Sequence, residues 1–442
     1  MKILYSVYTI LTSGLALFSL FPFWLFTRIS GKYKKSLKER LGYISQDLTL
    51  GLSKSPRIWI HAVSLGEVRV AASMITALRR LSPDSSMILS TTTEHGRDLA
   101  KDIIEDRVPV IYGPIDFILS VRKALYTIRP DVLVFLETEI WPAWIVEGHK
   151  LGIKIALING RISPRSFNYY LRFRSFFRVI LDCVDTFSMI AEEDRLRILS
   201  IGAHPGKVSV NGNAKYDLLF ELADPTIEND IRKVFDLDSS RPVFIAGSIR
   251  NGERLMIINT YKKILKEFPD TVLLIAPRHI KNSGEIASLL DKNKLGYQIK
   301  SEMDKRMQKR SAQVVIINTF GELFKIYSVG TIIFCGGSLI PLGGQNPLEA
   351  AVWGKVVLYG PHMDHFLDAK ALLEKNDAGF PISSPEALAE KTIYLLKNPD
   401  LIKQVGARAR QAVKENRKSA EKHARIIVKL MNKSAHIHTK PA

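Results

Sequence analysis

Acids recur where apolar runs stop, and they are the residues with the clearest chemical potential. Arg57-Ile58-Trp59-Ile60-His61-Ala62-Val63 reads as a buried strand, followed by Ser64-Leu65-Gly66-Glu67 and an amphipathic helix through Val68, Ala71, Ile75 and Leu78. Glu67 therefore stands at a strand's C-terminal end beside a helix start, where ligands of open α/β sheets gather and a carboxylate can serve as general base. A first-turn acid that complements the helix dipole has the same spacing, so both roles stay open. Pro130–Leu136 reads as another strand and ends in Glu137-Thr138-Glu139, again acids where the strand stops. A second group is built for anions. Pro341-Leu342-Gly343-Gly344-Gln345-Asn346-Pro347-Leu348-Glu349 follows a buried run ending Cys335-Gly336-Gly337-Ser338, and reads as strand, glycine-rich loop and helix start. Glycines let backbone approach a ligand, N–H groups at a helix start favour phosphate, and Glu349 one turn in can take the paired hydroxyls of a ribose. A tight structural turn would share this pattern. Arg278-His279, at another strand end, suits a phosphate or a carboxylate, and also suits plain surface.

The elements that must position these groups alternate regularly. Strands are expected at 57–63, 86–91, 108–112, 130–136 and 154–158, with Val208–Asn211 closing the first set, and helical patterns lie between them. Such alternation argues for a parallel, doubly wound sheet. The polar run Asp224–Ser240 marks a boundary, after which the pattern restarts at Pro242–Ser248 and continues through 271–279, 314–323, 331–338 and 356–362. The fold expected is α/β, with two doubly wound domains facing a cleft. No DxD pair suited to a divalent metal stands at a strand end, and neither a Walker loop nor a nucleophile elbow occurs. A transfer reaction without metal or cofactor is easier to support than a kinase or hydrolase.

With 442 residues, 46% of them hydrophobic, the chain can form two or three domains with real cores. Sixty-three Lys plus Arg against forty-four Asp plus Glu leave a charge of +19, which calls for an anionic partner: nucleic acid, a phosphorylated substrate or a membrane surface. The two cysteines, Cys183 and Cys335, lie in apolar runs without CxxC spacing, so neither a disulfide framework nor a zinc site is suggested. From Ile3 to Ile29 only Arg28 is charged, and Lys32, Lys34, Lys35, Lys38 and Arg40 follow. This reads as a retained membrane anchor with its basic flank in the cytoplasm, spanning or lying in the inner face, rather than a cleaved signal peptide. Arginines interleaved with aromatics between Ser163 and Phe187 suit a helix with one apolar and one cationic face that meets acidic lipid. Nucleic-acid binding is not favoured, because no recognition fold accompanies the charge.

Taken in order, His61–Glu67, Glu137–Pro142, Asn213-Ala214-Lys215-Tyr216-Asp217, Pro277-Arg278-His279, Gly321-Glu322-Leu323, Gly336-Gly337-Ser338 and Gly343–Ala350 closely resemble the bacterial 3-deoxy-D-manno-octulosonic acid (Kdo) transferases of lipid A assembly. The resemblance runs from the anchor to about residue 380. It implies a GT-B glycosyltransferase with two Rossmann-like domains that moves Kdo from CMP-Kdo, with inversion and without metal, to the 6′-hydroxyl of the lipid A precursor lipid IVA. The site would be on the cytoplasmic face of the bacterial inner membrane. Glu67 then matches the catalytic base and Glu137 a second essential acid. Arg278, His279, Gly321, Glu322, Leu323, Gly337, Ser338, Asn346 and Glu349 match the donor side, with Lys215 and Ser248 as neighbours.

This chain departs from the family pattern at three places. Gln345 stands where His is frequent, Asn318 where Asp is common, and Ser248-Ile249-Arg250-Asn251-Gly252-Glu253-Arg254 has Arg at 250 and 254 in place of His and Glu. The expected organisation is an anchor over 1–30, an acceptor domain over 31–223, a CMP-Kdo domain over 224–433 including a basic terminal helix, and a disordered tail over 434–442. Two other readings remain: a GT-B enzyme on another glycolipid, such as a lipid A disaccharide synthase, and a membrane-bound lipid-binding protein without activity.

Overall fold

The computed structural model describes residues 2–30, 36–45, 48, 52, 54–104, 108–238 and 240–438; within 2–30 and 433–438 the backbone is described but many side chains are not. The chain divides into two compact units, Met1–Asp217 with Lys418–Ala442, and Leu218–Arg417.

The first unit holds seven parallel strands: β1 (Arg57–His61), β2 (Ser86–Thr91), β3 (Val110–Tyr112), β4 (Val132–Leu136), β5 (Lys154–Gly160), β6 (Thr186–Met189) and β7 (Val208–Val210). Their order is β3-β2-β1-β4-β5-β6-β7. Connections leave β1 toward β2 on one side and re-enter at β4 on the other, so the topological switch point lies between β1 and β4. Both faces are covered, which is why these strands are nearly continuous apolar runs. Alternate residues separate the two layers: Trp59, Leu133 and Phe135 pack with Trp144 and Phe187 on one face. Ile58, Ile60, Val132 and Val134 pack on the other, with Ala420, Ala424 and Ile427.

Those last three residues belong to the C-terminal helix Ser419–His438, which corrects two expectations. Residues 418–433 belong with the first unit and not the second, and 434–438 continue the helix instead of forming a tail; 439–442 lie outside the described residues. The helix is held by its own sequence. Asp217 accepts the Ser419 and Ala420 N–H groups at 3.3 and 2.8 Å, satisfying donors that a helix start leaves free. Buried His423 bridges the Gly212 carbonyl at 3.0 Å and the Ser188 hydroxyl at 2.7 Å. A carbonyl only accepts, so Nε2 carries the proton and Nδ1 accepts from Ser188, whose oxygen accepts in turn from Asn211 at 2.7 Å. Burial lowers the His423 pKa to about 4, keeping the ring neutral. Gly212 allows the approach: its φ is 88°, and a Cβ there would meet Ser419 Oγ at 2.4 Å.

The second unit repeats the plan with β8 (Val243–Ile249), β9 (Val272–Pro277), β10 (Tyr297–Ile299), β11 (Val314–Ile316), β12 (Ile332–Cys335), β13 (Val356–Tyr359) and β14 (Gly379–Pro381). The parallel order is β10-β11-β9-β8-β12-β13-β14, placing its switch point between β8 and β12. Strands β6, β10 and β14 were not expected from the sequence. The glycine-rich stretch was expected to open a helix, yet only one turn forms, Leu348–Ala351. Four residues align few peptide dipoles, so a phosphate gains little from them.

The first helix runs Lys2–Ser30. Its opening turns dock on the first unit, where buried Tyr5 donates to Glu147 at 3.0 Å and Tyr8 to Asp116 at 2.5 Å. Among the described residues no helix is long and apolar enough to cross a membrane. The anchor expected over 1–30 falls partly on side chains outside the described set, as do Lys32, Lys34 and Lys35.

Candidate active site

At the β1/β4 switch point, Ser64 caps the Leu65–Leu81 helix by accepting the Glu67 N–H. The Glu67 carboxylate returns the contact, accepting the Val63 N–H at 2.7 Å and the Ser64 hydroxyl at 2.7 Å. Glu67 is thus the first-turn acid of a helix cap and a buried carboxylate at the C-terminal edge of the sheet. Its pKa is raised, first by burial and then by Glu137; the Val63 and Ser64 contacts and Lys215 oppose the shift without reversing it.

Glu137 follows β4 in the left-handed region, with φ 56° and its N–H on the Ile158 carbonyl at 3.0 Å. The strand stops at Leu136, and the carboxylates of Glu137 and Glu139 both crowd Glu67. Glu139 accepts the Trp141 indole N–H at 2.5 Å, and its pKa is pushed up to about 7 by burial, Glu67 and Glu137 in that order. Glu137 is ion-paired with Lys215, whose head also lies beside Gly66. The sequence grouped Lys215 with the donor side; the structure places it among these acids in the first unit. Its backbone N–H bonds the Asn213 side chain at 3.1 Å, and buried Asn159 takes the Ala214 N–H at 2.8 Å.

At the β8/β12 switch point a residue the sequence reading did not select organises the loop. Glu253 is wholly buried, and its carboxylate accepts four backbone N–H groups: Gly337 at 2.6 Å, Ser338 at 3.0 Å, Leu339 at 3.1 Å and Arg250 at 3.0 Å. The signal was present, since Glu253 lies three residues past Arg250 as Glu67 lies three past Ser64. The Ser338 hydroxyl is also spent inside the loop, donating to Cys335 and accepting the Gly360 N–H at 2.8 Å. Of the two sequence readings of this stretch, a ligand loop or a tight structural turn, the turn describes these three amides, which the protein's own Glu253 side chain takes up.

Around this closed nest, Ser248 is buried with φ 55°, and its carbonyl packs on Gly336 so closely that a Cβ there would sit 2.7 Å away. Arg278 and His279 follow β9 and are exposed. Asn346 accepts the Leu348 N–H at 3.1 Å and bonds Glu349, whose pKa burial raises to about 7 against the pull of Arg278. Gly321, Glu322 and Leu323 follow β11 and keep other company: Thr319 donates to Glu322, and Lys300 lies 3.9 Å from it.

The two units are parallel-sheet α/β domains resembling those of GT-B glycosyltransferases. On fold, the chain matches a glycosyltransferase from Rickettsia africae (TM-score 0.59, 16% identity, 86% of this chain and 98% of that one). It matches a UDP-GlcNAc 2-epimerase from Neisseria meningitidis equally (TM-score 0.59, 16% identity, 85% and 100%). Sequence narrows the class. Residues 35–218 match the family described as 3-deoxy-D-manno-octulosonic-acid transferase (kdotransferase). A 3-deoxy-D-manno-octulosonic acid transferase of Rickettsia conorii is 31% identical over 383 residues, 85% of this chain and 79% of that protein. A bifunctional glycosyltransferase/methyltransferase of Fusobacterium nucleatum is 31% identical over 373 residues, and the chain spans 57% of its length. The chain belongs to the 3-deoxy-D-manno-octulosonic acid transferase family.

Proposed function

We propose that this chain is a glycosyltransferase of lipopolysaccharide biosynthesis that moves Kdo from CMP-Kdo, with inversion, to the 6′-hydroxyl of lipid IVA. The observation that carries this reading is buried Glu67 at the β1/β4 switch point, its proton affinity raised by burial and Glu137, in a chain of this family. A general base must hold the proton it takes, and a raised pKa supplies that affinity. Glu67 takes the acceptor hydroxyl's proton as that oxygen bonds to the anomeric carbon of Kdo. The bond from that carbon to the phosphate oxygen breaks with its electron pair, and CMP departs. Lys215 limits the negative charge that accumulates beside Glu67 and Glu137. The reading calls for no resident metal or cofactor.

Attachment to the cytoplasmic face of the inner membrane accompanies this reading. The first helix leaves Leu4, Ile10, Leu11, Leu15 and Phe18 exposed, and its Tyr8 packs on Phe176 at 5.4 Å between ring centres. Phe176 lies in the helix Arg174–Asp182, which with Pro164–Arg172 carries exposed Arg165, Arg172, Arg174 and Arg178 beside exposed Tyr169 and Phe173. An apolar stripe continuous with cations and aromatics suits an anionic lipid surface.

The test is transfer by purified full-length protein from fresh CMP-Kdo to lipid IVA with EDTA present, products read by mass. One or more added Kdo units, lost in Glu67→Ala, is the expected result. A folded wild type that binds CMP without transferring would overturn the acceptor assignment, and absence of CMP binding would overturn the donor. Co-sedimentation with phosphatidylglycerol vesicles but not with phosphatidylcholine ones is expected for the membrane face.

A further inference from the structure

In the second unit two arginine side chains, Arg250 and Arg278, stand at adjacent strand ends beside the switch point. The amides of Gly337, Ser338 and Leu339 are taken by Glu253, and the Ser338 hydroxyl by Cys335. Of the two arginines that depart from the family pattern, buried Arg254 is engaged, donating to Asn251 at 2.5 Å and to Glu285. Arg250 is not so engaged. Its side chain lies against Gly337, Cγ and Nε each 3.5 Å from where a Cβ would be, and its Nε is buried without a hydrogen-bond partner. Gly337 sits at φ 72°, so a larger residue there would be strained as well as crowded against that side chain. Burial, and then repulsion by Arg278 from the next strand end, lower the Arg250 pKa, against the pull of Glu253. Glu349, the acid that faces Arg278, is a weak counter-charge to it, since burial raises the Glu349 pKa to about 7.

We propose that Arg250, together with Arg278, forms a guanidinium pair that binds an anionic oxygen group of the sugar nucleotide, its phosphate or the carboxylate of its sugar. The inference rests on the donor reading of this unit. Two planar forks held at adjacent strand ends repel each other until an anion lies between them, and each then gains charge-assisted hydrogen bonds. Glu253 fixes this pair from below: by gripping both the Arg250 backbone and the Gly337 loop, it makes the loop a rigid floor and leaves anion binding to side chains. Arg250 is thereby a specificity-determining residue for the donor.

Calorimetric titration of the full-length protein with cytidine, CMP and freshly made CMP-Kdo tests it, using wild type, Arg250→Ala, Arg250→Lys and Arg278→Ala. Loss of a charge-assisted fork predicts roughly a 10- to 100-fold weaker Kd in Arg250→Ala with cytidine unchanged. A loss seen with both CMP and CMP-Kdo assigns Arg250 to the phosphate; a loss with CMP-Kdo alone assigns it to the carboxylate. Arg250→Lys keeps the charge without the fork, should recover part of the affinity, and carries the test if the alanine variant does not fold. Wild-type affinity for all three ligands in folded Arg250→Ala, with Arg278→Ala impaired, overturns the proposal while leaving the donor site in place. A wild type that binds none of the ligands overturns the donor reading and the proposal with it.

Discussion

Glu67 and Glu253 occupy equivalent places in the two sheets, each three residues past the cap of the element that follows the first strand of its sheet, yet they have opposite surroundings. Glu253 is enclosed by four backbone N–H groups, two on each carboxylate oxygen. Glu67 holds one N–H and one hydroxyl and faces two more carboxylates, so a proton is welcome there. Hydrogen bonding separates the two: Glu253 holds backbone in place on both oxygens, whereas burial and a neighbouring acid raise the proton affinity of Glu67. The switch points differ in sign as a result, acids with Lys215 at β1/β4 and two arginines over a closed loop at β8/β12.

The largest effect should come from removing the acceptor role. Glu67→Gln keeps the shape of the cap and removes the proposed base, and kcat should fall about 10³-fold with the KM for CMP-Kdo nearly unchanged. Steady-state kinetics decides this, and a matching change in KM would mean that Glu67 binds donor instead. The same substitution at Glu253 should spare chemistry and damage the fold. Whichever way the amide of Glu253→Gln is turned, its NH2 faces two backbone donors, at a cost of about 3 kcal/mol. Thermal unfolding should show this as a lowered Tm, whereas an unshifted Tm would break the distinction drawn between the two acids.

Much of this contrast was legible beforehand, and its failures have physical causes. The acids at the ends of β1 and β4 stood out because parallel strands buried on both faces end sharply where polar residues begin. Strands β6, β10 and β14 lack that signal: each is only three or four residues long, and Tyr297–Ile299 lies half-buried at an edge. Glu253 was passed over because Arg250 and Arg254 drew notice as departures, although the spacing already visible at Ser64 and Glu67 recurred there. The docking of Ser419–His438 depends on Ser188 and Gly212, more than two hundred residues away in the chain, and no local pattern encodes it. The glycine-rich stretch left two readings open for a related reason: glycines reveal that backbone can approach something, but not whether that something is a ligand or a side chain of the same chain.

A smaller effect separates the charges around Glu67. Lys215 lowers the Glu67 pKa and Glu137 raises it. Lys215→Met should therefore move the acidic limb of the kcat/KM profile to higher pH, with a loss of roughly tenfold, about 1.4 kcal/mol, at the optimum. Glu137→Gln should move the limb to lower pH. Opposite displacements identify the limb with Glu67, while displacements in the same direction would assign it to another group.

The smallest effect uses the one respect in which the two switch points agree, for each holds a glutamate whose pKa burial raises to about 7, Glu139 in the first unit and Glu349 in the second. The ordinary glutamate pKa applies once the chain unfolds, so between that value and about 7 the folded state binds the extra proton. Both groups therefore contribute stability that is fully present below the ordinary carboxylate range and is lost as pH rises through 7. Each can tilt the stability curve by at most about 1.4 kcal/mol per pH unit. Glu139→Gln and Glu349→Gln should each flatten the fall in Tm between pH 5 and 7.5, and the double variant should flatten it further, because the two sites lie in separate units and should add. If Glu139→Gln leaves the slope as it was, that carboxyl is already ionised in the fold, and the acid cluster is less crowded by charge than its burial requires.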